Sequence, residues 1–149
     1  MSIGAAAKDR AHHIAAVVAD SPYANLKRTA FRYLRAFGWI PSPLVWPTAF
    51  VTFRAAELFH RIDFTKSNPS DWARHVQCPI LLIHGRNDWR IPLEDSVEIC
   101  GQLSCPRELW VVNEVGHTGA FEKYPDEYVR RVQRFFETKL SSGITAEGC

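Results

Sequence analysis

The chain has 149 residues, 46% of them hydrophobic and 23% charged. That length holds one globular domain, and the composition excludes a disordered tail, a collagen-like repeat and a long coiled coil. Eighteen basic residues against sixteen acidic leave a net charge of +2, too balanced and too scattered to indicate a nucleic-acid partner.

The chain opens on Ser2, followed by the small, helix-favouring run Gly4-Ala5-Ala6-Ala7. Ile14 to Ala19 (IAAVVA) reads as a first strand, and its continuous apolar character predicts a parallel strand covered on both faces. After the turn-like Ser21-Pro22, the three-to-four-residue recurrence of Leu26, Ala30, Leu34 and Phe37 predicts a helix. Gly38 to Pro47 (GWIPSPLVWP) carries three prolines and two tryptophans, which exclude a continuous helix and predict a lid or loop. Helical spacing resumes from Thr48 to Ile62, and Asn68-Pro69-Ser70-Asp71 signals the start of a short helix over Trp72 to Val76.

Pro79 to His84 (PILLIH) and Glu108 to Asn113 (ELWVVN) read as second and third strands, with a crossover helix over Asp95 to Leu103 between them. Asp126 to Leu140 sets Val129, Val132, Phe136 and Leu140 on one stripe opposite basic residues, an amphipathic helix able to cover a sheet face. The alternation predicts an α/β fold of parallel strands flanked by helices. Its domain spans residues 1–140, with a helical cap insertion over about residues 24–76 and a small, polar, frayed tail over residues 141–149.

The N-terminus lacks the basic flank and apolar core of a signal peptide, and no run of about 18 apolar residues could cross a bilayer. Cys78, Cys100, Cys105 and Cys149 have neither CxxC spacing nor a matching histidine pattern, so they read as reduced thiols, with no metal site expected. A cytoplasmic location is expected. Trp39 to Phe53 reads as a lid lining a pocket or as core of the cap helices, rather than as a membrane-surface element. His12, His13, His60, His75 and His84 read as surface or satisfied structural histidines, and Arg130, Arg131 and Arg134 as a solvated helix face.

Asp88 follows the second strand in His84-Gly85-Arg86-Asn87-Asp88, and His117 follows the third in Val115-Gly116-His117-Thr118-Gly119. Both fall just past carboxyl ends of parallel strands, the edge where open α/β sheets keep their ligands. A carboxylate and an imidazole there can act as orienter and base, and Ser2 with its small neighbours looks like the second half of a G-x-S-x-G elbow.

The order Ser2, Asp88, His117 resembles that of the α/β-hydrolase family. So do Cys78-Pro79-Ile80-Leu81-Leu82-Ile83-His84-Gly85-Arg86-Asn87-Asp88 as strand and acid loop, Ile91-Pro92 as the downstream proline, and Gly116-His117-Thr118 as the histidine loop. Val17-Val18-Ala19-Asp20-Ser21-Pro22-Tyr23 resembles the strand after the nucleophile helix in bacterial serine aminopeptidase-like and monoacylglycerol-lipase-like members. The resemblance implies Ser2 as nucleophile, His117 as general base and acid, Asp88 as orienter, and the Ile3 N–H as one oxyanion donor. It implies acyl hydrolysis of a small-molecule or lipid-like ester or amide, with no cofactor. A hydrolase-fold dehalogenase would need an aspartate where Ser2 stands.

The first glycine of the elbow would precede Met1, so the resemblance implies a chain that begins inside the elbow and lacks the N-terminal half of a hydrolase. Such a chain is expected to be a weak catalyst or none. The alternative is a catalytically silent fragment acting as a binding or interaction module, with self-association through an exposed sheet edge.

Overall fold

A computed structural model describes residues 2–36, 38, 41–60 and 68–144. The element order is α1 (Ser2–Lys8), β1 (Val17–Asp20), α2 (Leu26–Ala36), α3 (Ser42–His60), α4 (Pro69–Ala73), β2 (Ile80–Gly85), α5 (Leu93–Gln102), β3 (Arg107–Val112), α6 (Ala120–Lys123) and α7 (Pro125–Ile144).

The three strands form one sheet in the order β1-β2-β3. Both pairings are parallel, with Val17 opposite Ile80 and Ile80 opposite Arg107. Successive side chains of a strand point to opposite faces, and the core divides accordingly. Ile80 and Leu82 of β2 join Val17 and Ala19 of β1 on one face, packed with Ile3 and Ala6 of α1, Ala73 of α4 and Ile99 of α5. Leu81 and Ile83 point the other way, into a cluster with Val112, Val115, Ala120 and Phe135. Helices therefore cover both faces of β2, and every one of its residues is buried.

The apolar runs locate all three strands, each displaced by one to three residues at an end. The expectation that each is covered on both faces holds for β2 but not for β3, whose Arg107 and Glu108 are exposed and whose next three residues are half-buried. Among the described residues β3 has β2 as its one strand neighbour; Leu109 packs toward the α5 side and Trp110 toward α7, while the start of the strand stays open to solvent.

Two other expectations are corrected. Gly38 to Pro47 is not a continuous loop, since α3 begins at Ser42 and runs through Pro47. Pro43 falls in the first turn, where a backbone N–H has no intrahelical acceptor. Pro47 forfeits only the bond to the carbonyl of Pro43, and both prolines are exposed, so water can solvate that carbonyl. Trp46 and Phe50 stack at 5.5 Å between ring centroids and are 63% and 53% exposed, so neither belongs to the core of the cap. α7 continues to Ile144, past the Leu140 at which the amphipathic stripe is expected to end. Trp39, Ile62 and Cys149 lie outside the described residues.

The short helix after Asn68 begins at Pro69, earlier than the spacing suggested, with Asn68 as its extended N-cap. The Asn68 side chain does not cap α4; its Nδ2 donates to Asp71 and its Oδ1 accepts the Leu26 N–H. Cys78, Cys100 and Cys105 are free thiols. No helix among the described residues is long and apolar enough to cross a membrane.

Candidate active site

Asp88 and His117 meet at the carboxyl edge of the sheet. Asp88 lies three residues past the end of β2 in a tight turn whose N–H donates to the Gly85 carbonyl at 3.2 Å. Its Oδ1 accepts the N–H groups of Arg90 and Ile91, each at 2.9 Å. An aspartate that folds its carboxyl back onto amides two and three residues ahead fixes its own rotamer. Its Oδ2 is then aimed outward and accepts from His117 Nδ1 at 2.8 Å. Asp88 is 5% exposed, whereas the His117 side chain keeps 23% of its surface. Every contact to Asp88 comes from a donor, so Nδ1 carries the imidazole proton and Nε2 presents a lone pair.

The loop bearing His117 is locked onto the turn bearing Asp88. Arg86 N–H donates to the Val112 carbonyl at 2.8 Å and Asn87 N–H to that of Val115 at 3.0 Å. Behind Asp88, His84 is fully buried, with Nε2 2.9 Å from the Ile91 carbonyl and Nδ1 2.6 Å from Ser96 Oγ. A carbonyl only accepts, so Nε2 carries a proton, and in the neutral tautomer this selects, Nδ1 accepts from the Ser96 hydroxyl. Nε2 also lies 3.7 Å from Asp88 Oδ2. His84 is thus a satisfied structural histidine, as the sequence reading has it.

Ser2 opens α1 and is exposed. It lines a cavity of about 240 Å³ with Ile3, Val18, Asp20, Ser21, Tyr23 and Pro69, at the carboxyl end of β1. No hydrogen bond joins Ser2 to Asp88 or His117 among the described residues. Ile3 is 3% exposed and its side chain is core, while its N–H belongs to the first turn of α1, where amides lack intrahelical acceptors. The small residues that follow serve packing: a Cβ on Gly4 would overlap the Trp72 ring of α4.

Two residues at this edge escaped the sequence reading. Asp20 ends β1, and its carboxyl is held above the ordinary carboxylate range by burial, against the opposing hydroxyl donors of Ser21 and Tyr128. Ser21 is 4% exposed with φ of +47°. The strand-end rule that singled out Asp88 and His117 applies equally to Asp20; Ser21-Pro22 instead read as an ordinary turn. Among the described residues no cluster of histidine, cysteine or carboxylate side chains could hold a metal ion.

Parallel strands with helices on both faces, and an aspartate–histidine pair at their carboxyl edge, define an α/β-hydrolase fold, in part. A family model described as the prolyl oligopeptidase family matches residues 1–143, and the chain belongs to that family. Similar solved structures agree. An esterase of Pyrococcus furiosus is 26% identical with a TM-score of 0.64, the match covering 92% of this chain and 50% of the esterase. An acylaminoacyl peptidase of Pyrococcus horikoshii is 18% identical with a TM-score of 0.56 over 91% of this chain and 22% of that one. An acetyl xylan esterase from a Paenibacillus species, 15% identical with a TM-score of 0.60, is matched over 93% of this chain and 41% of its own. The last two likenesses concern the fold alone. The chain spans about half the length of the Pyrococcus furiosus esterase. No curated protein is matched by the sequence.

Proposed function

We propose that the chain carries the acyl-transfer centre of a serine hydrolase, with Ser2 as nucleophile, His117 as general base and acid, Asp88 as orienter and the Ile3 N–H as one oxyanion donor. The observation that carries this reading is the 2.8 Å bond from His117 Nδ1 to an Asp88 carboxyl already fixed by two backbone amides. It leaves Nε2 as the free base. In the proposed reaction Nε2 takes the Ser2 hydroxyl proton as Oγ bonds to an ester or amide carbonyl carbon. The oxyanion that forms is met by the Ile3 N–H, and collapse breaks the bond to the alcohol or amine, which leaves with the proton from His117. Water, deprotonated by Nε2, then attacks the acyl group, and the carboxylic acid departs as Ser2 regains its proton.

Membership of the prolyl oligopeptidase family and the name of the 26% identical esterase support an acyl carbonyl as the target. The apolar cap favours a hydrophobic acyl or alcohol group in a small-molecule or lipid-like substrate. The chemistry requires neither metal nor organic cofactor.

A second reading is a catalytically silent module. It is favoured by the lack of a Ser2–His117 hydrogen bond and by β1, which has one strand neighbour among the described residues and so offers an edge for self-association. Intact-mass measurement after exposure to a fluorophosphonate separates the two. The hydrolase reading expects a single adduct, absent from Ser2→Ala and strongly slowed in Asp88→Asn and His117→Ala. A folded chain that takes no adduct and elutes as a dimer on size exclusion favours the second reading.

A further inference from the structure

Beyond the three proposed catalytic residues, a run of hydrogen bonds that does not pass through Asp88 reaches the backbone beside His117. On α7, Tyr128 is fixed by ring contacts with Trp110 and Phe121, and its hydroxyl donates to Asp20 Oδ2 at 3.4 Å. The Ser21 hydroxyl donates to Asp20 Oδ1 at 3.0 Å. Having spent its one proton there, Ser21 Oγ offers lone pairs and accepts the Thr118 N–H at 3.3 Å. That amide is the peptide group joined directly to His117. The run therefore ties α7, the end of β1 and the histidine loop together, with each donor and acceptor assigned by chemistry.

The backbone at both ends of the Ser21–Thr118 bond is unusual. Ser21 has φ of +47° and Thr118 of +53°, the left-handed region that residues other than glycine rarely adopt and that persists only where surroundings over-determine it. At Ser21 the determinants are visible: its N–H donates to the Ile83 carbonyl of β2 at 2.9 Å, and its side chain is buried. A glycine would adopt this backbone without strain, yet a serine stands there, and its hydroxyl accepts the Thr118 N–H.

We infer that Ser21 is a positioning residue for His117, accepting the Thr118 N–H so that the imidazole stays over Asp88, with its hydroxyl aimed by Asp20 and, through it, Tyr128. The inference rests on the proposed role of His117, but its geometry can be tested independently of that role.

The variant is Ser21→Gly, which deletes the acceptor while relieving the positive φ, so that loss of the fold does not confound the result. Three readouts apply: hydrogen exchange at the Thr118 amide, the His117 Nδ1–H proton resonance, and the rate of fluorophosphonate addition to Ser2. The expected result is unchanged or higher thermal stability, exchange at Thr118 faster by about tenfold or more, a broadened or lost Nδ1–H resonance, and labelling slowed on the order of 10- to 100-fold, as small misplacements of reacting groups produce. Unchanged Thr118 exchange together with an intact Nδ1–H resonance would overturn the inference. If the parent chain takes no adduct, the hydrolase reading fails, while exchange and resonance still decide whether Ser21 holds the loop.

Discussion

Gly85 lies hard against Gly116: a Cβ placed on Gly85 would overlap the carbonyl oxygens of Gly116 and Val115. These are backbone atoms of the loop that carries His117, so they cannot swing aside as a flexible side chain would. Gly85 is also the last residue of β2, paired with Val112 of β3, and the turn to Asp88 starts from it. The glycine is required by close approach between the two site loops.

Gly85→Ala is therefore expected to separate the Asp88 turn from the His117 loop, at a cost of about 1–3 kcal/mol in folding stability by overpacking. Urea unfolding would measure the loss, and the His117 Nδ1–H resonance would report whether the pair survives. An unchanged midpoint with an intact resonance would show that the loops have slack the geometry does not reveal.

Behind Asp88, Ser96 and His84 form a buried pair that depends on both partners. Ser96→Ala leaves His84 Nδ1 an acceptor with nothing to accept, in a site with no solvent access at either residue. Stranding a buried acceptor costs about 1–3 kcal/mol. The same His84 ring holds the Ile91 carbonyl, and the Ile91 N–H is one of the two that fix Asp88. Chemical denaturation is thus expected to shift by this amount, with a matching loss in the labelling rate of Ser2. A loss of stability with labelling untouched would confine the pair to a packing role.

How much of this was legible in the sequence depends on whether a feature is local. The unbroken run from Ile80 to Ile83 is buried on both faces, so it locates β2 and, with it, the turn that presents Asp88. His117 follows in the same way from β3, although Arg107 and Glu108 at its start are exposed. Pro47 misled because the rule against interior proline weighs one lost hydrogen bond heavily, whereas an exposed helix lets water replace it. The Thr118–Ser21 bond joins residues 97 apart in the chain, and no spacing or periodicity encodes such a contact. The short-range signal at Ser21-Pro22 is that of a plain turn, whether or not its hydroxyl holds a distant loop.

Asp20 gives the fold a pH dependence whose sign can be worked out. Burial raises its carboxyl above the ordinary range, so the folded chain binds this proton more readily than the unfolded chain does. The stability it contributes is full below the ordinary carboxylate value and is lost as pH rises through the raised one. Asp20→Asn carries no charge at any pH, so its Tm is expected to exceed that of the parent at neutral pH. The advantage should shrink to nothing as the solution is acidified through that window. Thermal scans at several pH values check this, and a gap that stays constant or widens on acidification would contradict it. A gain in stability alongside impaired labelling of Ser2 would mark Asp20 as a group kept for function at the expense of the fold.

The proline inside α3 yields a prediction of the opposite kind, a gain with no expected effect on the site. Pro47 lacks the N–H that would reach the Pro43 carbonyl, and it stands exposed in a helix of 19 residues. Alanine restores that donor and removes the ring clash, worth up to about 3 kcal/mol in helix propensity. Against this, proline restricts the unfolded chain, an advantage of about 0.4–1 kcal/mol that alanine forfeits. Pro47→Ala is thus expected to stabilise by about 1–2 kcal/mol, with helical content by circular dichroism unchanged or slightly higher. A destabilised variant would mean that the ring of Pro47 contributes packing its exposure conceals, and that α3 tolerates its proline because it uses it.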